Sequence, residues 1–215
     1  MTGRTRFLVV LDVDSTLIQD EVIELLADVA GSRELVADVT ERAMLGEIDF
    51  AESLRARVRT LAGLPDTVFA DVGRRIRITP GATELIAGLH EHGCRVGVVS
   101  GGFHELLDPL AARLGIDQWR ANRLDVLDGR LTGLVSGPVI DAEGKADALR
   151  EWASLYDVPM SGTVAIGDGA NDLRMMRAAG LAIAFNAKPV VRSSADLAID
   201  VPDLSQVLAL LGLRG

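Results

Sequence analysis

The sequence predicts an α/β fold: a doubly wound, mostly parallel sheet with helices on both faces and a small helical cap inserted after the first strand. Three observations carry this. Apolar, valine-bearing runs at 7–11, 96–99 and 163–166 suit strands buried on both faces of a parallel sheet. Each run ends in a polar stretch containing aspartate or glycine, and the intervals between them carry helical periodicity. Between the first two runs, residues 19–78 read as helix with no strand, too long for a simple crossover.

The first run breaks into Asp12-Val13-Asp14-Ser15-Thr16. If the strand continues through it, alternation puts Asp12 and Asp14 on one side, their Cα atoms about 7 Å apart. Val22, Ile23, Leu25, Leu26 and Val29 then recur at helical spacing until Gly31 closes the segment, with Glu21 near its first turn. Further helices are expected over 34–45, 50–61 and 65–75, the last with Pro65 at its first position. These make up the cap, residues 17–78, on a core of 1–16 and 79–215. Pro80-Gly81 opens a helix to His92, and Gly93 ends it before the strand at 95–99. Ser100-Gly101-Gly102 follows, then a helix over 103–114. Short strands at 123–127 and 130–135 flank Asp128-Gly129, a two-residue hairpin signal. A helix over 145–156 leads to the third buried strand, which ends in Gly167-Asp168-Gly169-Ala170-Asn171-Asp172. Weaker strands at 181–184 and 197–199 and a helix at 204–211 complete the chain.

Composition narrows the function. A 215-residue chain with 48% hydrophobic and 25% charged residues has ample material for a core. Its net charge of −9 argues against a nucleic-acid binder. The first apolar run meets aspartate too early for a signal-peptide core, and no run reaches the roughly 18 apolar residues of a membrane span, so the chain is expected to be cytoplasmic, with no membrane partner. The single cysteine, Cys94, excludes a disulfide framework within the chain and reads as a small buried hydrophobe. Of the 22 basic residues only Lys145 and Lys188 are lysine, so each raises the question of what a compact point charge does there. Lys188, before Pro189, reads as surface.

In doubly wound sheets ligands bind beyond the carboxyl ends of the strands. If the three strong strands are neighbours, Asp12, Asp14, Asp168 and Asp172 converge there. Two like charges 4 Å apart repel by about 4 kcal/mol at an effective dielectric of 20, so such a cluster calls for a cation. With no His or Cys among the donors, Mg²⁺ suits it best, and the set also admits Mn²⁺ or Ca²⁺. A phosphate would need donors as well. Ser100 with the glycines after it can offer a hydroxyl and backbone N–H groups at a helix N-terminus, and Lys145 can neutralise developing charge. Singly, each aspartate is an ordinary turn or cap residue; four of them at three buried strand ends favour a function.

The motifs Asp12-Val13-Asp14-Ser15-Thr16, Ser100-Gly101-Gly102, Lys145 and Gly167-Asp168-Gly169-Ala170-Asn171-Asp172 resemble, in order and spacing, the four motifs of haloacid dehalogenase-like phosphohydrolases. The resemblance spans nearly the whole chain and implies that family's Rossmann-like core. The Asp-x-Asp-Ser-Thr form, the inserted cap, and the stretches 55–58, 98–103 and 121–124 are similar to the branch that hydrolyses O-phosphoserine to serine and phosphate, the last step of serine biosynthesis. Carried over by position, the resemblance implies Asp12 as nucleophile and Asp14 as acid and base. It implies Mg²⁺ held by the Asp12 carboxylate, the Asp14 main-chain carbonyl and Asp168, supported by Asp172. Ser100, Gly101, Lys145 and Asn171 would hold the phosphoryl oxygens, Glu21 the substrate ammonium and Arg57 its carboxylate. Met44 and Phe50 would shield the closed site. The first strand starts almost at once, so no amino-acid-binding regulatory domain, and no serine inhibition through one, is expected.

Two other readings stay open within the family: transfer of the phosphoryl group to an alcohol such as homoserine, and hydrolysis of another phosphomonoester. A phosphoacceptor signalling domain also combines an acidic metal pocket, an aspartate, a hydroxyl and a lysine, but is shorter and has no cap. The oligomeric state is not written in these motifs.

Overall fold

The computed structural model describes residues 5–44 and 48–213; the side chains of Glu41, Ala43 and Met44 lie outside the description as well. Its strands are β1 (Leu8–Leu11), β2 (Arg95–Phe103), β3 (Gln118–Leu127), β4 (Arg130–Ser136), β5 (Thr163–Gly167), β6 (Leu181–Phe185) and β7 (Leu197–Ile199). They form one sheet in the order β4-β3-β2-β1-β5-β6-β7, parallel except for the β3–β4 hairpin. The three strong strands of the sequence are the central three. β1 pairs with β2 on one side and β5 on the other, Leu11 lying opposite Val98 and Ile166.

The helices of the core are α5 (Ala82–Glu91), α6 (His104–Leu114), α7 (Ala142–Leu155), α8 (Leu173–Ala178), α9 (Pro189–Arg192) and α10 (Gln206–Leu210). Alternation along β1 shows why both faces need cover. Val9 and Leu11 join the cluster containing Leu85, Leu89 and Leu107, whereas Leu8 and Val10 join the one containing Leu149 and Trp152. All four β1 side chains are fully buried.

Between β1 and β2 the chain forms α1 (Val22–Ala30), α2 (Arg33–Met44), α3 (Phe50–Arg59) and α4 (Val68–Gly73). It leaves and re-enters along two adjacent antiparallel segments: Ile18 bridges Ile78, Gln19 N donates to Arg77 O and Thr79 N to Leu17 O. Asp20 and Arg77 pair across them at 2.7 Å. Among the described residues no helix is long and apolar enough to cross a membrane.

Several sequence expectations shift. Residues 63–66 lie against the β3–β4 hairpin instead of starting a helix, Leu131 N donating to Leu64 O and Asp66 N to Gly129 O, so α4 begins only at Val68. β3 starts five residues before the expected 123 because its polar first half, Gln118 to Asn122, pairs with β2. β2 runs through Ser100-Gly101-Gly102 to Phe103, so α6 starts at His104. The short α8 and α9 carry too few residues to impose a period on the sequence. Leu45, the expected end of α2, lies outside the described residues. Cys94 is buried, and burial pushes its thiol pKa up, as a small hydrophobe requires.

Candidate active site

The site is built where β1, β2 and β5 end. β1 stops at Leu11, so Asp12 and Asp14 stand in the turn after the strand, not within it. Asp12 N still donates to Ile166 O, continuing the ladder one step to β5. The chain then turns sharply, with Ser15 in the left-handed region at φ 58°. This turn, not strand alternation, brings the two aspartates into one volume.

Lys145 sits in the first turn of α7, which Asp141 caps by accepting from Glu143 N and Gly144 N. Its fully buried ammonium donates to Asp12 Oδ1 at 2.6 Å and Asp172 Oδ1 at 2.7 Å. Val13 N also donates to Asp12 Oδ1; among the described residues no donor bonds Asp12 Oδ2. Asp172 accepts from Gly169 N through Oδ2 at 3.0 Å. A Cβ on Gly167 would collide with the Asp172 carboxylate, and one on Gly169 with the Asn171 side chain, so these glycines make room for the acidic loop. Thr16, fully buried, donates to Asp168 Oδ1 at 3.3 Å.

Carboxylate oxygens of Asp12, Asp168 and Asp172 lie within 4.8 Å of one another. Electrostatics bears out the strain of that cluster. Burial, then Asp172 and Glu21, pushes Asp168 up to about 6. Burial, then Asp172, raises Asp12 well above the carboxylate range although Lys145 opposes it. The Lys145 ammonium is penalised by burial, but Asp12 and Asp172 outweigh that and raise its pKa. Three acidic groups facing one ammonium leave negative charge that a hard divalent cation would neutralise, and every donor is oxygen. The residues present therefore fit such a cation.

Asp14 stands outside that triad. Its Oδ1 is buried without a hydrogen-bond partner among the described residues, and burial, then Glu21 and Asp12, raises its pKa well above the usual value. It therefore favours the protonated form. Glu21 is exposed but tied to the same turn, Ser15 Oγ donating to its Oε1 at 2.7 Å. Arg57, half-buried on α3, feels the charges of Glu21, Asp14 and Glu24; burial, opposed by all three, lowers its pKa. Phe50, two turns earlier on the same helix face, reaches the Gly101 loop: a Cβ on Gly101 would lie 3.0 Å from its Cζ. The Met44 side chain lies outside the described residues.

The Ser100 loop differs from expectation. Because β2 continues to Phe103, Gly101 and Gly102 do not open a helix. Ser100 Oγ accepts from Gly102 N at 2.7 Å, so that N–H is already used. Gly102 is there for space: a Cβ would lie 2.7 Å from Val22 Cγ2. Ser100 itself is buried and Gly101 half-buried beside Phe50. Sequence reading missed Thr16 as a partner of Asp168. It also left Lys188 as surface. The side chain is exposed, yet Lys188 N donates to Asp168 O at 3.2 Å and its charge lowers the Asp168 pKa. Only the fold, by returning the chain after β6, could reveal that.

Comparison with known proteins identifies the fold and the family. The haloacid dehalogenase-like hydrolase family profile matches residues 9–177. The chain is 56% identical over 213 residues to phosphoserine phosphatase SerB2 of Mycobacterium tuberculosis, covering 99% of itself and 52% of that protein. It is 52% identical over 204 residues to the phosphoserine phosphatase of Streptococcus thermophilus, covering 95% of each. It thus spans about half the length of the first relative and nearly all of the second. A solved phospho-aspartyl intermediate analogue of a phosphoserine phosphatase matches with a TM-score of 0.90 at 42% identity, over 96% of this chain and 99% of that one. With the four motifs gathered at one end of a doubly wound sheet and a family match over most of its length, this chain belongs to the haloacid dehalogenase-like hydrolases.

Proposed function

We propose that the chain hydrolyses O-phospho-L-serine to serine and phosphate, the last step of serine biosynthesis, in the cytoplasm. The observation that carries this is the meeting of two recognition sets in one volume: the Asp12–Lys145–Asp172 cluster for a phosphoryl group, and Glu21 with Arg57 beside Asp14 for the two charged groups of an amino acid. The two relatives named phosphoserine phosphatase support the substrate.

In this reading Asp12 Oδ2 attacks phosphorus, forming the Asp12 O–P bond as the P–O bond to the serine oxygen breaks. Asp14, whose carboxyl burial, Glu21 and Asp12 push toward the protonated form, delivers its proton to that oxygen. Asp14 then takes a proton from the water that attacks phosphorus, and Asp12 and phosphate are released. Ser100, Gly101, Lys145 and Asn171 hold the phosphoryl oxygens. Asp12, the Asp14 main-chain carbonyl and Asp168 would hold Mg²⁺, with Asp172 behind them; the ion would neutralise charge on the phosphoryl group. Residues 17–78 act as a cap, with Phe50 and Met44 closing the site to water, on a core formed by 1–16 and 79–215.

The test is a steady-state assay of phosphoserine, phosphothreonine and sugar phosphates with and without Mg²⁺, alongside Asp12→Asn. The reading requires the highest kcat/KM for phosphoserine, dependence on the metal, and loss of turnover in the variant. Preference for a substrate lacking the amino-acid end would refute the substrate, and retained turnover in Asp12→Asn the mechanism.

A further inference from the structure

β2 and β3 pair in register at Val99 with Arg120 and again at Phe103 with Asn122, so four steps along β2 match two along β3. The surplus is the Ser100-Gly101-Gly102 stretch, pushed out of the ladder toward the site. A stretch displaced in this way loses its strand partners, and a buried carbonyl without one costs about 1–3 kcal/mol. Asn122 supplies the missing partner. Its side chain is 1% exposed, and Nδ2 donates to Gly101 O at 2.8 Å.

The same amide has a second bond. Oδ1 accepts from Ile140 N at 2.8 Å. Ile140 immediately precedes Asp141, the cap of α7, and Lys145 N donates to Asp141 O at 3.0 Å. One planar group therefore joins the bulged loop after Val99 to the start of the helix that carries the buried ammonium. Donor and acceptor are both needed, and only asparagine of this length offers them in that arrangement. Leucine, similar in volume, offers neither, and aspartate keeps the acceptor alone.

We infer that Asn122 is a positioning residue for phosphate binding: it fixes the spacing between the Gly101 loop and Lys145 without touching substrate. The inference rests on the phosphoryl-transfer reading of the site, not on phosphoserine as the substrate. Misplacement of a binding group by about 1 Å can cost about 100-fold in rate.

The decisive comparison uses the whole chain and three variants, Asn122→Asp, Asn122→Leu and, as a control for lost stability, Leu124→Ala, which removes a buried side chain on the same strand. Titration calorimetry with inorganic phosphate and Mg²⁺ gives a Kd that needs no turnover; kcat/KM is measured on phosphoserine and on an aryl phosphate. Both Asn122 variants should weaken phosphate at least about 10-fold, Asn122→Leu more than Asn122→Asp. They should lower kcat/KM on the two substrates in parallel, leaving their ratio unchanged within about twofold, while Leu124→Ala lowers Tm with phosphate Kd unchanged. Should Asn122→Leu fail to fold, the near-isosteric Asn122→Asp decides. A phosphate Kd at the wild-type value in Asn122→Asp, or an equal loss in Leu124→Ala, would overturn the inference. Wild-type protein that ignores phosphoserine but cleaves the aryl phosphate would sink only the substrate reading.

Discussion

Lys145 and Asp12, 133 positions apart, are joined by a 2.6 Å hydrogen bond in which the lysine side chain has no exposed surface. Breaking a buried pair by removing one partner costs about 3–5 kcal/mol, because the remaining charge has no water to turn to. Lys145→Met strands both Asp12 and Asp172. It should lower unfolding free energy by about that amount, measured by urea titration without metal, and reduce kcat at least about 100-fold. Added Mg²⁺ should restore part of the stability and little of the rate. Lys145→Arg should not rescue either, since a planar fork does not fit a point-charge site enclosed on all sides.

Arg57 offers a substrate-dependent prediction. The charges of Glu21, Asp14 and Glu24 act on it, and its Nε donates to Ser53 O at 3.3 Å. A charge-assisted bond to a substrate carboxylate is worth about 1.5–3 kcal/mol. Arg57→Ala should therefore cut kcat/KM for phosphoserine by about 10- to 100-fold and spare an aryl phosphate. Equal losses on both would make Arg57 a structural residue of α3.

Ser53, on the same face of α3 as Phe50 and Arg57, is 1% exposed, and its hydroxyl has no hydrogen-bond partner among the described residues. Leaving a buried donor unsatisfied costs about 1–3 kcal/mol. Ser53→Ala should raise stability by about 1 kcal/mol in urea unfolding of the free protein. Unchanged or lowered stability would mean that the hydroxyl finds a partner in solution.

The parts of the molecule legible in its sequence are those set by local periodicity and strand-end chemistry. β1, β2 and β5 announce themselves because strands buried on both faces must be continuously apolar, while Gly31 marks the end of α1 and Asp128-Gly129 the β3–β4 turn through left-handed backbone at φ 69°, 50° and 72°. Residues in non-local pairings stay hidden. Pro65 reads as a helix start until the β3–β4 hairpin claims it. The first half of β3 is polar because Gln118, Arg120 and Asn122 answer to partners 18 to 38 residues away, such as Tyr156 for Gln118, Glu151 for Arg120 and Ile140 for Asn122. The motifs that hold Thr16 and Asn122 do not reveal their contacts; only the sheet order puts one against Asp168 and the other between two loops.

The last prediction concerns pH and the opposite end of β2. Asp117 accepts from Val96 N at 2.8 Å and from Arg95 Nη1 at 2.6 Å, and lies 2.8 Å from His90 Nε2. Burial alone would raise its pKa, but the Val96 N–H, His90 and Arg95 outweigh burial and hold it below the ordinary 3.8. A folded-state pKa below the unfolded one means that the unfolded chain takes up the proton first as pH falls. The contribution is therefore complete above the unfolded value, about 3.9, and drains away as pH drops through the folded one. Asp117→Asn keeps an acceptor for Val96 N–H but loses the charge, so it should cost about 1–3 kcal/mol at pH 7. The same cost should hold at pH 5 and shrink toward pH 3. Urea titrations of both proteins at the three pH values measure it directly. A difference that stays constant down to pH 3 would mean that the Asp117 pKa is not depressed, and that its hydrogen bonds act without its charge.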